Sequence, residues 1–165
     1  MKKVSKEDKL FYFERNFFTL DGLWMIETEK ETNWETALKI DVAVWKRFLK
    51  IVIRRIKKYL KIETNTLKDL IEILTFRWSI EGWEYNIAKI ENNEALIEIV
   101  KCPYKSTMDR NPERNDKIPL ICRKMCIPFY TEVARDFNSR IKLERNKSMG
   151  MGSKICDFHY ILEER

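Results

Sequence analysis

Leu10, Phe13, Phe17, Leu20, Trp24 and Thr28 recur at intervals of three and four, the spacing of one face of an α-helix. Ser5 stands ahead of them as a capping residue, since its hydroxyl can accept one of the free N–H groups of a first turn. Asn33 is the next such cap, and it predicts a helix from there to about Lys61. This second helix has two apolar faces. One runs Ala37, Ile40, Val44, Phe48, Ile51, and the other Leu38, Val42, Trp45, Leu49, Val52, Ile56, Leu60. A helix that is apolar on two sides must be covered on both, inside the domain or by a second subunit. Thr66 caps a shorter third helix, Leu67 to about Phe76.

The period then falls to two. Trp83, Tyr85 and Ile87 alternate with polar residues, Glu91-Asn92-Asn93 reads as a turn, and Ala95 to Val100 forms a second strand. Residues 103–117 are polar, carry Pro112, and read as a loop. Pro119 fits the first position of a fourth helix. Pro128 breaks or kinks it, giving either one bent helix or two short ones, about 119–126 and 128–137. A hairpin closes the chain: Arg140 to Asn146, a turn at Gly150-Met151-Gly152, and Ile155 to Leu162. The order αααββαββ predicts a single α+β domain over residues 1–165, with a helical layer (1–79) packed on an antiparallel sheet (80–165).

At 165 residues the chain can bury an ordinary core. It has no apolar run of eighteen residues, and its charged start, Met1-Lys2-Lys3-Val4-Ser5-Lys6-Glu7-Asp8, is no signal sequence. The expected setting is therefore cytoplasmic, with no membrane. The 32 basic residues are set against 26 acidic ones, which makes a dense mixed surface. Glutamine is absent while isoleucine and lysine abound, a usage like that of thermophile proteins.

All four cysteines, Cys102, Cys122, Cys126 and Cys156, lie in the last two fifths of the chain. In a reducing compartment such clustering points to metal or chemistry before disulfides. Thiolates brought from separate elements can converge on a tetrahedral zinc, one per chain, although the spacing is not that of a CxxC…CxxC finger. The alternative is that each is a small buried hydrophobe. Cys126 is the weakest member, because Pro128 can turn it away. His159, the one histidine, would point to the opposite strand face from Cys156 and is placed outside the site.

Asp21 and Asp41 sit within apolar helical stretches beside Trp24 and Trp45. Half-buried carboxylates next to aromatic rings can hold a polar ligand group, which makes these four residues candidate ligand-binding positions. Pairing with a nearby lysine or arginine is the plainer alternative. Lys46, Lys50, Arg54, Lys57 and Lys61 form a basic stripe that could follow a phosphate backbone, or be a solvated face complementing the helix C-terminus. Without a recognition module or base-stacking strand, nucleic acid is disfavoured. GxGxxG, GxxxxGK and GxSxG motifs are all missing, so dinucleotide redox chemistry and nucleotide hydrolysis have no support.

The stretches Cys102-Pro103-Tyr104-Lys105, Leu120-Ile121-Cys122, Arg145-Asn146-Lys147-Ser148-Met149-Gly150-Met151-Gly152 and Cys156-Asp157-Phe158 resemble vinyl-4-reductase (4-vinyl reductase) domains and L-2-amino-thiazoline-4-carboxylic acid hydrolase-like proteins. The resemblance covers roughly residues 80–163. It implies an α+β fold similar to the ligand-binding domains of nitric-oxide sensors and Golgi-tethering subunits, and dimerisation through the helices. It also implies Cys102, Cys122 and Cys156 as metal ligands, with Cys126 departing from the frame. The function expected from it is a metal-containing, small-molecule-binding protein, a sensor or ligand carrier acting as a homodimer. A metal-assisted hydrolase of a small cyclic C=N substrate is the second expectation, and a basic helical nucleic-acid binder the third.

Overall fold

The structure, a computed structural model, describes residues 3–164, without the side chain of Arg15. Helix α1 spans Lys6–Glu31 and α2 spans Trp34–Tyr59. Ser5 accepts from the Asp8 N–H while the Asp8 carboxylate accepts from the Ser5 N–H, so both ends of a capping box are made. Asn33 caps α2 through the Thr36 N–H. Helix α3 runs Leu67–Ile80, a turn beyond the expected Phe76, and a second capping box joins Thr66 and Asp69 at its start. Its extra turn carries Arg77 and Trp78 into the core.

Strands β1 (Glu84–Ile90), β2 (Glu94–Lys101), β3 (Ile141–Glu144) and β4 (Cys156–Leu162) form one antiparallel sheet in the order β1-β2-β4-β3. The last strand inserts between β2 and β3, setting Ile99 opposite Cys156 and Ile97 opposite Phe158. Ala95, Ile97, Ile99, Cys156, Phe158 and Tyr160 face inward and are buried against α2, α3 and the helix Ile127–Phe137. The other face carries the alternating polar residues; there His159 pairs with Glu94 at 2.7 Å and Glu144 at 3.8 Å. The chain is therefore an α+β protein with an N-terminal helical region and a four-stranded antiparallel sheet.

One local expectation is corrected, and one left open is decided. Residues 103–117 are helical: α4 spans Pro103–Met108 and a 3₁₀ turn spans Pro112–Lys117. Proline stands at the first position of each, where its missing N–H costs nothing. Of the two outcomes open at Pro128 the structure takes the continuous helix: α5 (Ile118–Ile121) runs through a π turn, Cys122–Cys126, into α6 (Ile127–Phe137). A proline inside an α-helix clashes with the carbonyl four residues back, here that of Lys124. The wider turn lets the Ile127 N–H reach the Cys122 carbonyl five residues back, and the helix carries on.

Of the basic stripe on α2, Lys46 and Lys50 bind Glu132 of α6 at 2.5 and 3.1 Å, and Lys50 also reaches Asp136. Lys57 bonds Asn65 and lies over the Phe137 ring. Those cations join helices. Among the described residues, no helix is long and apolar enough to cross a membrane.

Candidate functional site: a cysteine chamber and an apolar cavity

The four cysteines are brought together. Cys102 follows β2 as the N-cap of α4, and its sulfur accepts the Lys105 N–H at 3.5 Å. Cys122 and Cys126 bracket the π turn. Cys156 opens β4, and its sulfur accepts the Met149 N–H at 3.2 Å. Each thiol lies within Coulombic reach of the other three, and all four are free. Burial pushes the thiols of Cys102, Cys122 and Cys126 up, that of Cys122 to about 11, so at neutral pH they hold their protons. Among the described residues, no three His, Cys, Asp or Glu side chains stand in a ready metal-holding arrangement.

A glycine makes room for Cys122. A methyl group on Gly150, in the short 3₁₀ turn Met149–Met151, would lie 2.2 Å from the Cys122 sulfur and 3.1 Å from its Cβ. Gly150→Ala should therefore cost about 1–3 kcal/mol by overpacking, read as a lower urea midpoint. Cys122→Ala in the same chain should recover most of that loss. An unchanged midpoint in Gly150→Ala would show that the turn is not packed against the cysteine.

Arg145 completes this chamber, and the sequence reading missed it. The alternation Ile141, Leu143, Arg145 continues the inward face of β3, and this was the available signal. Its side chain is 2% exposed, with the guanidinium 3.7 Å from the centre of the Phe158 ring. Nη1 lies 4.0 Å from the Cys126 sulfur and Nε 3.8 Å from Asp157, yet Nε is buried with no hydrogen-bond acceptor among the described residues. The Asp157 carboxylate is held by the backbone N–H groups of Asn146 and Lys147 at 2.7–3.1 Å.

The apolar cavity, about 320 Å³, opens between α1 and the α4–α5 segment. Phe18, Gly22, Met25 and Ile26 of α1 form one wall, and Tyr104, Met108, Ile121 and Met125 form the opposite one. Asp21 and Asp41 both line it, and Trp45 Nε1 donates to Asp21 Oδ1 at 3.0 Å. Trp24 does not belong there: it is 66% exposed on the opposite side of α1. Burial raises both carboxyls, Asp21 to about 6 and Asp41 to about 7, and the charge of Asp21 lifts Asp41 further. A separate polar cleft of about 340 Å³ meets the cysteine chamber at Cys102 and Met149.

The cavity and the chamber share walls. On the helix through the π turn, Ile121 and Met125 face the cavity while Cys122 and Cys126 face the chamber. Behind them Arg77, also missed from the sequence, is 3% exposed. It donates to Glu81 at 2.8 Å, to the Tyr130 hydroxyl at 3.1 Å and to the Tyr104 hydroxyl at 3.3 Å. Its signal was the spacing Leu70, Ile73, Leu74, Arg77 on the buried face of α3.

No curated protein matches the chain. A family model described as a family of unknown function (DUF6125) matches residues 2–150, which include α1 through α6 and three of the four cysteines. The chain belongs to this family.

Proposed function

We propose that the protein binds a small molecule in the α1–α4–α5 cavity and a soft metal ion, zinc or similar, at the cysteine chamber, and that it works as a homodimer in the cytoplasm. The observation that carries the proposal is the cavity, a half-open apolar space with a convergent pair of carboxyls, the usual make-up of a small-molecule site. The carboxyl pair favours a ligand that presents an amine or another hydrogen-bond donor to an otherwise apolar surface. Such a donor can bond either carboxyl, and a cation would draw off the proton that the pair retains near neutral pH.

Support for the metal comes from the donor set. Four sulfurs from three parts of the fold suit a soft ion, and the acceptor-less Arg145 Nε would gain an anionic neighbour from a thiolate site. Cys102, Cys122, Cys126 and Cys156 would hold the ion, which needs the sulfurs to draw in and lose their protons. The likeness to vinyl-4-reductase domains at Cys102, Cys122 and Cys156 points the same way. A hydrolytic role has less behind it. Asp21 and Asp41 line a cavity that no cysteine lines, and Asp157 is committed to backbone N–H groups.

Native mass spectrometry and elemental analysis of the purified protein test both parts. About one soft metal ion per chain is expected, mostly lost in Cys156→Ser. A small-molecule adduct is expected in wild type and not in Gly22→Phe, since a side chain on Gly22 would enter free space in the cavity wall. A folded wild type free of metal sinks the chamber as a metal site. An adduct that survives Gly22→Phe sinks the cavity as the binding site.

A further inference from the structure

We infer that the outer face of α1 is the seam of the homodimer and pairs with the same helix of a second copy. This gives a surface to the dimer proposed above and rests on that proposal. Leu10, Phe13, Phe17, Leu20 and Trp24 repeat at three and four residues, the a and d positions of two heptads. They do not cover the core of their own chain: they are 55%, 67%, 37%, 67% and 66% exposed. The cavity uses another face of the helix, that of Phe18, Gly22 and Met25. On the flank of α2, Ile40 and Val44 are also open, at 40% and 53%. Phe17, packed 6.2 Å from Trp45 and 6.1 Å from Phe48, joins the two helices into one belt.

The extent of the belt matches what a dimer needs. With ~200 Å² for a fully exposed large apolar side chain, the open parts of these seven residues come to roughly 750 Å² per protomer. A stable interface buries about 800 Å² per partner, whereas a monomer rarely leaves so large a contiguous apolar patch in water. The spacing calls for another helix as the occupant, because heptad knobs fill the holes of a facing helix. A two-fold pairing needs only this one surface on each chain.

Charge argues against a membrane surface. Within Lys6–Glu31 there are seven acidic and four basic residues, the reverse of a basic interfacial helix. Of the two apolar faces of α2, that of Trp45 and Leu49, 5% and 0% exposed, is filled by the protomer's own core, while Ile40 and Val44 of the other join the belt.

Sedimentation velocity at micromolar concentration tests the seam, with Phe13→Glu and Leu20→Glu as variants and Tyr59→Glu, 75% exposed and off the belt, as control. Wild type and control should be dimers. Each seam variant should raise the dimer Kd roughly 100-fold or more, because a two-fold axis places every new charge twice in one apolar interface. Far-UV circular dichroism should be unchanged, as both side chains are exposed. Dimers that persist in both variants at the wild-type Kd overturn the seam and leave the homodimer standing on another surface. A monomeric wild type overturns both. Wild-type monomers that float with phosphatidylserine-containing vesicles would make α1 a membrane-binding helix and also overturn the seam.

Discussion

Arg77→Ala should lower the stability of the protein by about 3–5 kcal/mol, the cost of removing one partner from a buried ion pair. Glu81 would keep its charge beside the core, 14% exposed, with Trp83 Nε1 at 3.1 Å still donating to it. The Tyr104 hydroxyl would lose its donor at 3.3 Å, and the Tyr130 hydroxyl one donor at 3.1 Å while keeping Trp78 Nε1 at 2.8 Å. Tyr104 lines the cavity, and Tyr130 lies within Coulombic reach of Cys126, so both candidate sites should loosen together. Replacing both charged partners, as in Arg77→Met with Glu81→Gln, should restore much of the loss, because no buried charge is then left alone. Chemical denaturation with a matched double-mutant cycle measures this. A single-variant loss below about 1 kcal/mol would show that the pair is not a structural anchor.

The second large effect is a reversal of the usual acid sensitivity. Asp21 and Asp41 have folded-state values of about 6 and about 7, raised by burial from the ordinary 3.8. Between about pH 4 and pH 7 the folded chain therefore holds more protons at these positions than the unfolded chain. Their contribution is fully present below the unfolded value and is lost as pH rises through 6 to 7. Stability should fall from pH 5.5 to pH 8 by an amount on the order of 2 kcal/mol, the two groups titrating as a coupled pair. Asp41→Asn removes the group with the larger shift and should flatten this profile while raising the melting temperature at pH 8. Parallel profiles for wild type and variant would mean that the carboxyls are hydrated and ordinary. A donor ligand in the cavity should act most strongly at pH 8, where the carboxylates are charged.

Much of the local structure was legible because it rests on short-range chemistry. Ser5, Asn33 and Thr66 cap the three N-terminal helices as their side chains require. The period-two segments become strands, and Asn92-Asn93 lies in the tight turn between β1 and β2. The region 103–117 misled, because a proline at the first position of a helix looks the same as a proline in a loop. Pro128 left two outcomes open. Whether it breaks a helix or widens one turn depends on whether the segments on both sides are held by packing, and α6 is held by Phe129, Tyr130, Val133 and Ala134 in the core.

The sequence by itself determined the capped helices, the α+β order, the grouping of the four cysteines along the chain and the placing of aspartates within apolar helical stretches, all properties of residue type and spacing. Only the tertiary structure decided which of these face one another. It set Asp21 and Asp41 in a common cavity while leaving Trp24 in water, because α1 turns one face to α2 and α4 and the other outward. It drew Arg145 in beside Cys126 and Cys156, because β4 inserts between β2 and β3. It also left the heptad face of α1 bare, since the core is already closed by α2, α3 and α6 against a single sheet face. Periodicity reports that a face is apolar; only the competition among all such faces for one core decides which of them stays exposed.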